Sequence, residues 1–329
     1  MKTQPYDVHL PPFAVEERIS LRALEDRPYS WGVDFLKVKE VEPDGTGVIA
    51  FIIDTEDGGI DHEAVNHAIE RDYCKRFTSE PPTTQTGHGH GLHVADTVLQ
   101  VAPGVKIAFL KVLSNSGGGY STDVAAGIRF VADLQLKPEH EGFVKIINLS
   151  LGSDVASKVI EDSIIYARSK GVEVFAAAGN DGRDVDFPGG FAEQVITIAA
   201  IDDMGRPAGF SSPGPEVDLA LPGVSIAGAY KSSYAILSGT SMATPHAAAI
   251  AALVHSQTRD LQAFLKRYAT DIHEPGKDDK TGYGIPFAPN YFGNPSEPEP
   301  VDPGDGVPAW VWWSIGGVVV LGIALYLIL

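Results

Sequence analysis

Apolar residues gather along the chain in five nine-residue runs: residues 46–54 (TGVIAFIID), 105–113 (VKIAFLKVL), 144–152 (VKIINLSLG), 172–180 (VEVFAAAGN) and 194–202 (QVITIAAID). Continuous hydrophobicity over so short a length predicts strands buried on both faces. Between the runs, residues 121–135 (STDVAAGIRFVADLQ) and 154–171 (DVASKVIEDSIIYARSKG) carry helix-like spacing. Ser121 or Thr122 offers the first an N-cap, and Gly171 offers the second a stop. Strands alternating with helices predict an α/β fold, a doubly wound, mostly parallel sheet with helices on both faces. In such sheets ligands gather at the carboxyl ends of the strands. Asp54, Asn180 and the loop after Leu151 fall there. The chain shows no internal repeat.

Hydropathy changes abruptly near the C-terminus. Residues 310–329 (WVWWSIGGVVVLGIALYLIL) carry no charge, with Trp310, Trp312 and Trp313 clustered at their start. As a helix they would be about 30 Å long, matching a bilayer core, and indoles favour its interface. The preceding residues 293–309 are acidic and Pro-rich, a composition that predicts an extended linker. The expected organisation is an N-terminal arm or short propeptide-like segment (1–30), a globular domain (31–292), this linker, and a transmembrane helix (310–329) forming a single-pass anchor. Residues 1–20 lack the apolar run of a signal peptide, so the globular domain is expected in the cytoplasm. The acidic linker gives the positive-inside rule nothing to act on.

Composition narrows the functional classes. With 44% hydrophobic residues the 329-residue chain can build a large core. A net charge of −18 excludes nucleic acid as a partner, which would require a basic face. It favours cationic peptides weakly. Cys74, the single cysteine, cannot form an internal disulfide.

The candidate chemistry begins at residues 86–96 (TGHGHGLHVAD), where His88, His90 and His93 suggest a metal site, a catalytic base or a polar loop. Their H-x-H-x-x-H spacing lacks the helical register of the H-E-x-x-H zinc motif. Far along the chain, residues 238–256 (SGTSMATPHAAAIAALVHS) run from a Gly-Thr-Ser turn into an Ala-rich helix, with Pro245 expected in its first turn. Ser241 then sits at a helix N-terminus, where developing negative charge is stabilised. Alone, such a serine reads as an ordinary N-cap. A serine nucleophile needs a base, and the base needs an orienting acid. Asp54, His90 and Ser241 follow in the order Asp…His…Ser, one of the orders known for such triads.

The blocks FIIDT, GHGLHVAD, INLSLG, AAAGNDG, FSSPGPEVDLALPGVSI and LSGTSMATPHAAA together resemble the successive signatures of subtilisin-like serine proteases over residues 31–292. The resemblance implies a subtilisin-like fold and a serine endopeptidase acting on polypeptides through an acyl-enzyme. It assigns Asp54 as orienting acid, His90 as base and Ser241 as nucleophile. Asn180 becomes the oxyanion donor alongside the Ser241 N–H. His93 becomes structural, and His88 receives no role.

The same resemblance makes Ser150, Leu151 and Gly152, facing Gly117, Gly118 and Gly119, two edges that clamp an extended peptide. It places Asp186 at the floor of the pocket for the residue before the cut bond, with Asp181 near the rim. That predicts cleavage after Lys or Arg, unless both are solvated loop acids. No cofactor is required. Residues 93–110 leave almost no room for the family's high-affinity calcium loop, although a weaker site elsewhere stays open.

Two local departures stand out. Glu56 and Asp57 follow Thr55, adding carboxylates expected to raise the pKa of His90, and Leu92 and Asp96 replace small residues around His93. Residues 8–17 (VHLPPFAVEE) resemble the short propeptide segment of intracellular subtilisins. This implies that Leu10, Pro11, Pro12 and Phe13 lie across the active site; the alternative is a flexible arm. The other reading of the whole domain is a catalytically impaired peptide-binding module. The membrane enters as a second partner through residues 310–329.

Overall fold

The computed structural model describes residues 6–19, 29–58, 60–80, 87–258 and 260–292. In chain order the strands are β1 (Val8–His9), β2 (Ala14–Ile19), β3 (Val48–Asp54), β4 (Lys75–Arg76), β5 (Lys106–Lys111), β6 (Gly118–Gly119), β7 (Val144–Leu149), β8 (Glu173–Ala177), β9 (Ile196–Ile201), β10 (Val217–Pro222), β11 (Ile226–Tyr230) and β12 (Ser233–Ser238). The helices are α1 (Trp31–Phe35), α2 (His90–Val101), α3 (Ser121–Asp133), α4 (Lys158–Ser169), α5 (Thr240–Val254) and α6 (Leu261–Tyr268).

The five apolar runs supply β3, β5, β7, β8 and β9, trimmed at one or both ends. They join β4 and β10 in a seven-stranded sheet ordered β10-β9-β8-β7-β3-β5-β4. Every neighbouring pair is parallel. In β3, Ala50 and Ile52 pack toward the core beneath α2 and α5. Ile49, Phe51 and Ile53 pack toward the opposite core, beneath α3 and α4. All five are buried, and each large side chain stabilises the fold by about 1.5–3 kcal/mol. This two-sided burial explains why the run never alternates with polar residues.

The chain leaves β3 toward β4 and β5 on one side and later crosses to β7 on the other. Strand order therefore reverses at β3, and the crevice outside the carboxyl ends of β3 and β7 is where ligands bind in such sheets. Asp54 ends β3 and Ser150 follows β7.

Two helix expectations need correction. Neither Ser121 nor Thr122 caps α3: the N-cap position belongs to Tyr120, which makes no side-chain cap. Asp7 does that work from another segment, accepting the Ser121 N–H and Oγ–H at 2.7 Å each. Pro245 lies in the second turn of α5. It is tolerated because the carbonyl it leaves unpaired, that of Ser241, accepts the Ser150 hydroxyl instead, at 2.9 Å.

Outside the main sheet, the N-terminal residues are strands in two small antiparallel sheets. β1 pairs with β6, and β2 is the third strand of a sheet with β11 and β12. Among the described residues no helix is long and apolar enough to cross a membrane. The expected linker and the transmembrane helix of residues 310–329 lie outside the described residues.

Candidate active site

The end of β3 and the start of α2 are drawn together by glycines. Gly89 precedes α2 with φ +93°, a left-handed conformation that favours glycine. At Gly91, an added Cβ would fall 2.3 Å from Glu56 Oε2 and 2.9 Å from Asp54 Cβ. Only a residue without a side chain lets the helix approach so closely. The consequence is an imidazole on a carboxylate: His90 Nδ1 lies 2.9 and 3.0 Å from the two oxygens of Asp54. Asp54 also accepts the Thr55 N–H at 2.7 Å, which fixes its orientation. Nδ1–H therefore donates to Asp54, leaving His90 Nε2 free to accept a proton. Nε2 is buried and makes no hydrogen bond among the described residues.

Ser241 occupies the first turn of α5 and is fully buried. Its hydroxyl donates to the Ser150 carbonyl at 3.3 Å, and the Ser150 hydroxyl donates back to the Ser241 carbonyl. Asn148 Nδ2 donates to Ser150 Oγ at 2.9 Å, completing a relay from β7 to the serine backbone. Asn180 follows β8. Its Oδ1 accepts the N–H and hydroxyl of Thr240 at 2.8 and 2.7 Å, which forces Nδ2 outward. That Nδ2 donates to the Pro12 carbonyl at 2.7 Å.

Residues 7–13 thus lie across the site. The Asp7 N–H donates to the Gly119 carbonyl and the Leu10 N–H to the Gly117 carbonyl. His9 and Gly152 exchange both backbone hydrogen bonds, at 2.9 and 2.8 Å. The Phe13 ring sits 5.0 Å from the His90 ring, centroid to centroid.

Of the predicted clamp, Gly117, Gly119 and Gly152 meet this segment through backbone atoms, and Gly118 pairs in register with His9. Among the described residues Ser150 and Leu151 make no backbone hydrogen bond to it. The Ser150 hydroxyl is turned onto Ser241, and Leu151 is buried in the core beneath α3 and α4.

Asp186 is half-buried and packs against Gly152 and Gly179. Burial, followed by the nearby charges of Asp181 and Asp154, pushes its pKa up to about 6. Asp186 lines two cavities. One, of about 450 Å³, also holds Asp154, Asp181, Arg183, Asp184 and Glu216. The other, of about 430 Å³, opens beside Leu10, Pro11 and Pro12. Asp181, paired with the Arg183 guanidinium, lines only the first cavity; the carboxylates lining the second are Asp7, Asp154 and Asp186.

Glu56 is fully buried beneath the His90 loop. Its Oε1 accepts the Gly89 N–H at 2.8 Å and its Oε2 the Thr55 hydroxyl at 2.5 Å. Desolvation, then Asp54, pushes its pKa up to about 7, so at neutral pH it carries only part of a charge. Asp57 lies 3.5 Å from the Arg76 guanidinium. Lys111, also buried, donates to the Thr55 carbonyl at 2.5 Å and to Asn115 Oδ1 at 2.9 Å. Its signal in the sequence is a second cation, after Lys106, inside the otherwise apolar run 105–113.

The other two histidines have separate surroundings. His93 Nε2 donates to the Ile226 carbonyl at 3.0 Å, and burial pushes its pKa down to about 3. Burial, then His90, holds His88 down at about 4. Among the described residues no group of three or more His, Cys, Asp or Glu is placed to hold a metal ion. The metal-site reading of the three histidines therefore gains no support from their geometry.

Comparison with known proteins gives the family. The model of the Subtilase family matches residues 45–284. The chain is 34% identical over 258 residues to the thermostable alkaline protease of Halalkalibacterium halodurans, an alignment covering 74% of this chain and 67% of that protein. It is 33% identical over 273 residues to subtilisin DY of Bacillus licheniformis, covering 77% and 94%. With the M-protease of Shouchella clausii it shares 39% over 212 residues, which covers 60% of this chain and about half, 53%, of that relative. The chain belongs to the subtilase family, the subtilisin-like serine endopeptidases.

Proposed function

We propose that this endopeptidase cuts through Asp54, His90 and Ser241, prefers Lys or Arg before the cut bond, and is held shut by residues 8–13. The observation that carries the reading is the Pro12 carbonyl on Asn180 Nδ2, with the residues before it clamped as an antiparallel strand. That is the posture of a substrate whose scissile carbonyl is Pro12. Asn180 and the Ser241 N–H would stabilise the oxyanion, each donor contributing about 3 kcal/mol in the transition state.

In a cleavable substrate the chemistry runs as follows. His90 Nε2 takes the Ser241 hydroxyl proton while Oγ attacks the carbonyl, and Asp54 stabilises the imidazolium that forms. The imidazolium then protonates the leaving amine, and water, activated the same way, hydrolyses the acyl-enzyme. Pro12 blocks this at its own nitrogen. Lacking an N–H, it cannot bond the Ser150 carbonyl, which engages the Ser241 hydroxyl instead.

The basic preference rests on Asp186, whose carboxylate faces the unfilled cavity beside Pro12. Its pKa of about 6 gives the preference a pH signature. Below pH 6 the Asp186 carboxyl is protonated and its share of the attraction for a cation is lost, leaving Asp154 and Asp7; above it the charge is present. The ratio of kcat/KM for Arg over Leu before the cut should rise about tenfold or more between pH 5 and pH 8, and Asp186→Asn should flatten it. Taking the ratio cancels any pH effect on the chemistry common to both substrates. A ratio below one at every pH, with cleavage after large apolar residues throughout, would sink the preference.

We also propose that residues 310–329 tether the domain to a membrane on its cytoplasmic side, a reading supported by their uncharged length. The full chain should enter the detergent-rich phase on phase separation, and residues 1–309 should stay in the aqueous phase. Identical partitioning of the two would argue against an anchor.

A further inference from the structure

Past Phe13 the N-terminal segment continues along β12. Ala14 pairs with Ser238, Val15 with Leu237 and Glu17 with Ile236. The register shift between Leu237 and Ile236 leaves Glu16 as the extra residue of a bulge. Bulges re-aim a side chain, and here the carboxylate of Glu16 meets two hydroxyls. Ser225 Oγ donates to one of its oxygens at 2.6 Å, and Ser238 Oγ donates to the other. The two serines are also joined independently of Glu16, because Ser238 Oγ accepts the Ser225 N–H at 2.7 Å. Ser238 is buried and Ser225 is held at φ +53°, so the pair is built into the turn before β11 and the end of β12.

Counting from the Pro12 carbonyl on Asn180, Pro12 precedes the cut bond, Phe13 is the first residue after it, and Glu16 is the fourth. We propose that Ser225 and Ser238 form a carboxylate-binding subsite that selects substrates with glutamate at the fourth position past the cut. The inference rests on the reading of residues 8–13 as lying in the substrate's path. It gives the enzyme two-sided selection, a cation before the bond and an anion beyond it. A net charge of −18 repels acidic peptides at long range, so this selection depends on local hydrogen bonds and should show in KM.

The test uses the chain lacking residues 1–18 and three fluorogenic peptides. They share one sequence with Arg before the cut and differ only in Glu, Gln or Lys at the fourth position beyond it. The cut bond is verified by mass spectrometry. The Glu peptide should be cleaved with kcat/KM about five- to twentyfold above the Gln peptide, the difference lying in KM, and the Lys peptide should be poorest. Ser225→Ala, or Ser238→Ala where the first variant fails to fold, should bring the Glu-to-Gln ratio within about twofold. Equal cleavage of all three peptides at the intended bond would overturn the subsite and leave the catalytic reading standing. A Glu preference undiminished in both serine variants would also overturn it. No cleavage of any peptide would overturn both readings together.

Discussion

Ser241→Ala should lower kcat by about 10⁶-fold, the loss known for the nucleophile of a subtilisin triad. The substitution removes one oxygen whose only hydrogen bond among the described residues runs to the Ser150 carbonyl. Alanine is a good helix former, and α5 should keep its place, so the loss reports chemistry rather than folding. Peptide binding should survive, because the clamp is built from the backbones of Gly117, Gly119 and Gly152. KM should therefore move little while kcat collapses. The residue of activity, about 10³–10⁴ above water, would come from Asn180 and from binding alone. Covalent labelling by a fluorophosphonate checks the same point. The wild type should be labelled and the alanine variant should not. An unlabelled wild type, once freed of residues 1–18, would favour the peptide-binding module instead.

Removing residues 1–18 should raise kcat/KM toward a short peptide by about 10²-fold or more. Asp54, His90 and Ser241 are fully buried with the segment in place, and Phe13 covers the His90 ring. A tethered occupant acts at millimolar effective concentration, which a micromolar substrate cannot displace. A synthetic peptide of residues 6–19 added in trans should then inhibit competitively. The truncation also strips β2 from β12, so thermal unfolding should be followed alongside. Unchanged activity in a protein that remains folded would leave the segment as a mere arm.

Much of this was legible in the sequence, for a physical reason. Strands buried on both faces cannot hide, because most of their positions must be apolar, and β3, β5, β7, β8 and β9 all announce themselves. Asp54 and Asn180 were visible as polar residues just where such runs end, and Ser241 as the start of an Ala-rich helix. The pattern could not show which atoms of a segment face the cleft. Ser150 and Leu151 lie on the predicted edge, yet one points its hydroxyl at the nucleophile's backbone and the other points into the core. Nor could it show β2, whose sequence AVEERI reads as a polar stretch and becomes a strand only against β12. The partners of Glu16 lie about two hundred residues away. Such long-range polar pairs leave no local periodicity. Glu56 was noticed for its charge, but its tie to the Gly89 N–H depends on a packing distance that no spacing encodes.

Pro245 has a consequence for how this enzyme can change. The hydrogen bond it withholds from its own helix is what frees the Ser241 carbonyl for Ser150, and Ser150 adjoins the Gly152 edge that grips the peptide. The part that grips and the part that reacts are therefore one mechanical piece. An evolving or engineered variant that reshapes residues 150–152 for a new peptide moves the reacting oxygen with them. Selectivity on that edge and speed share a single set of coordinates, and freedom to alter one without the other lies instead at Asp186 and along β12.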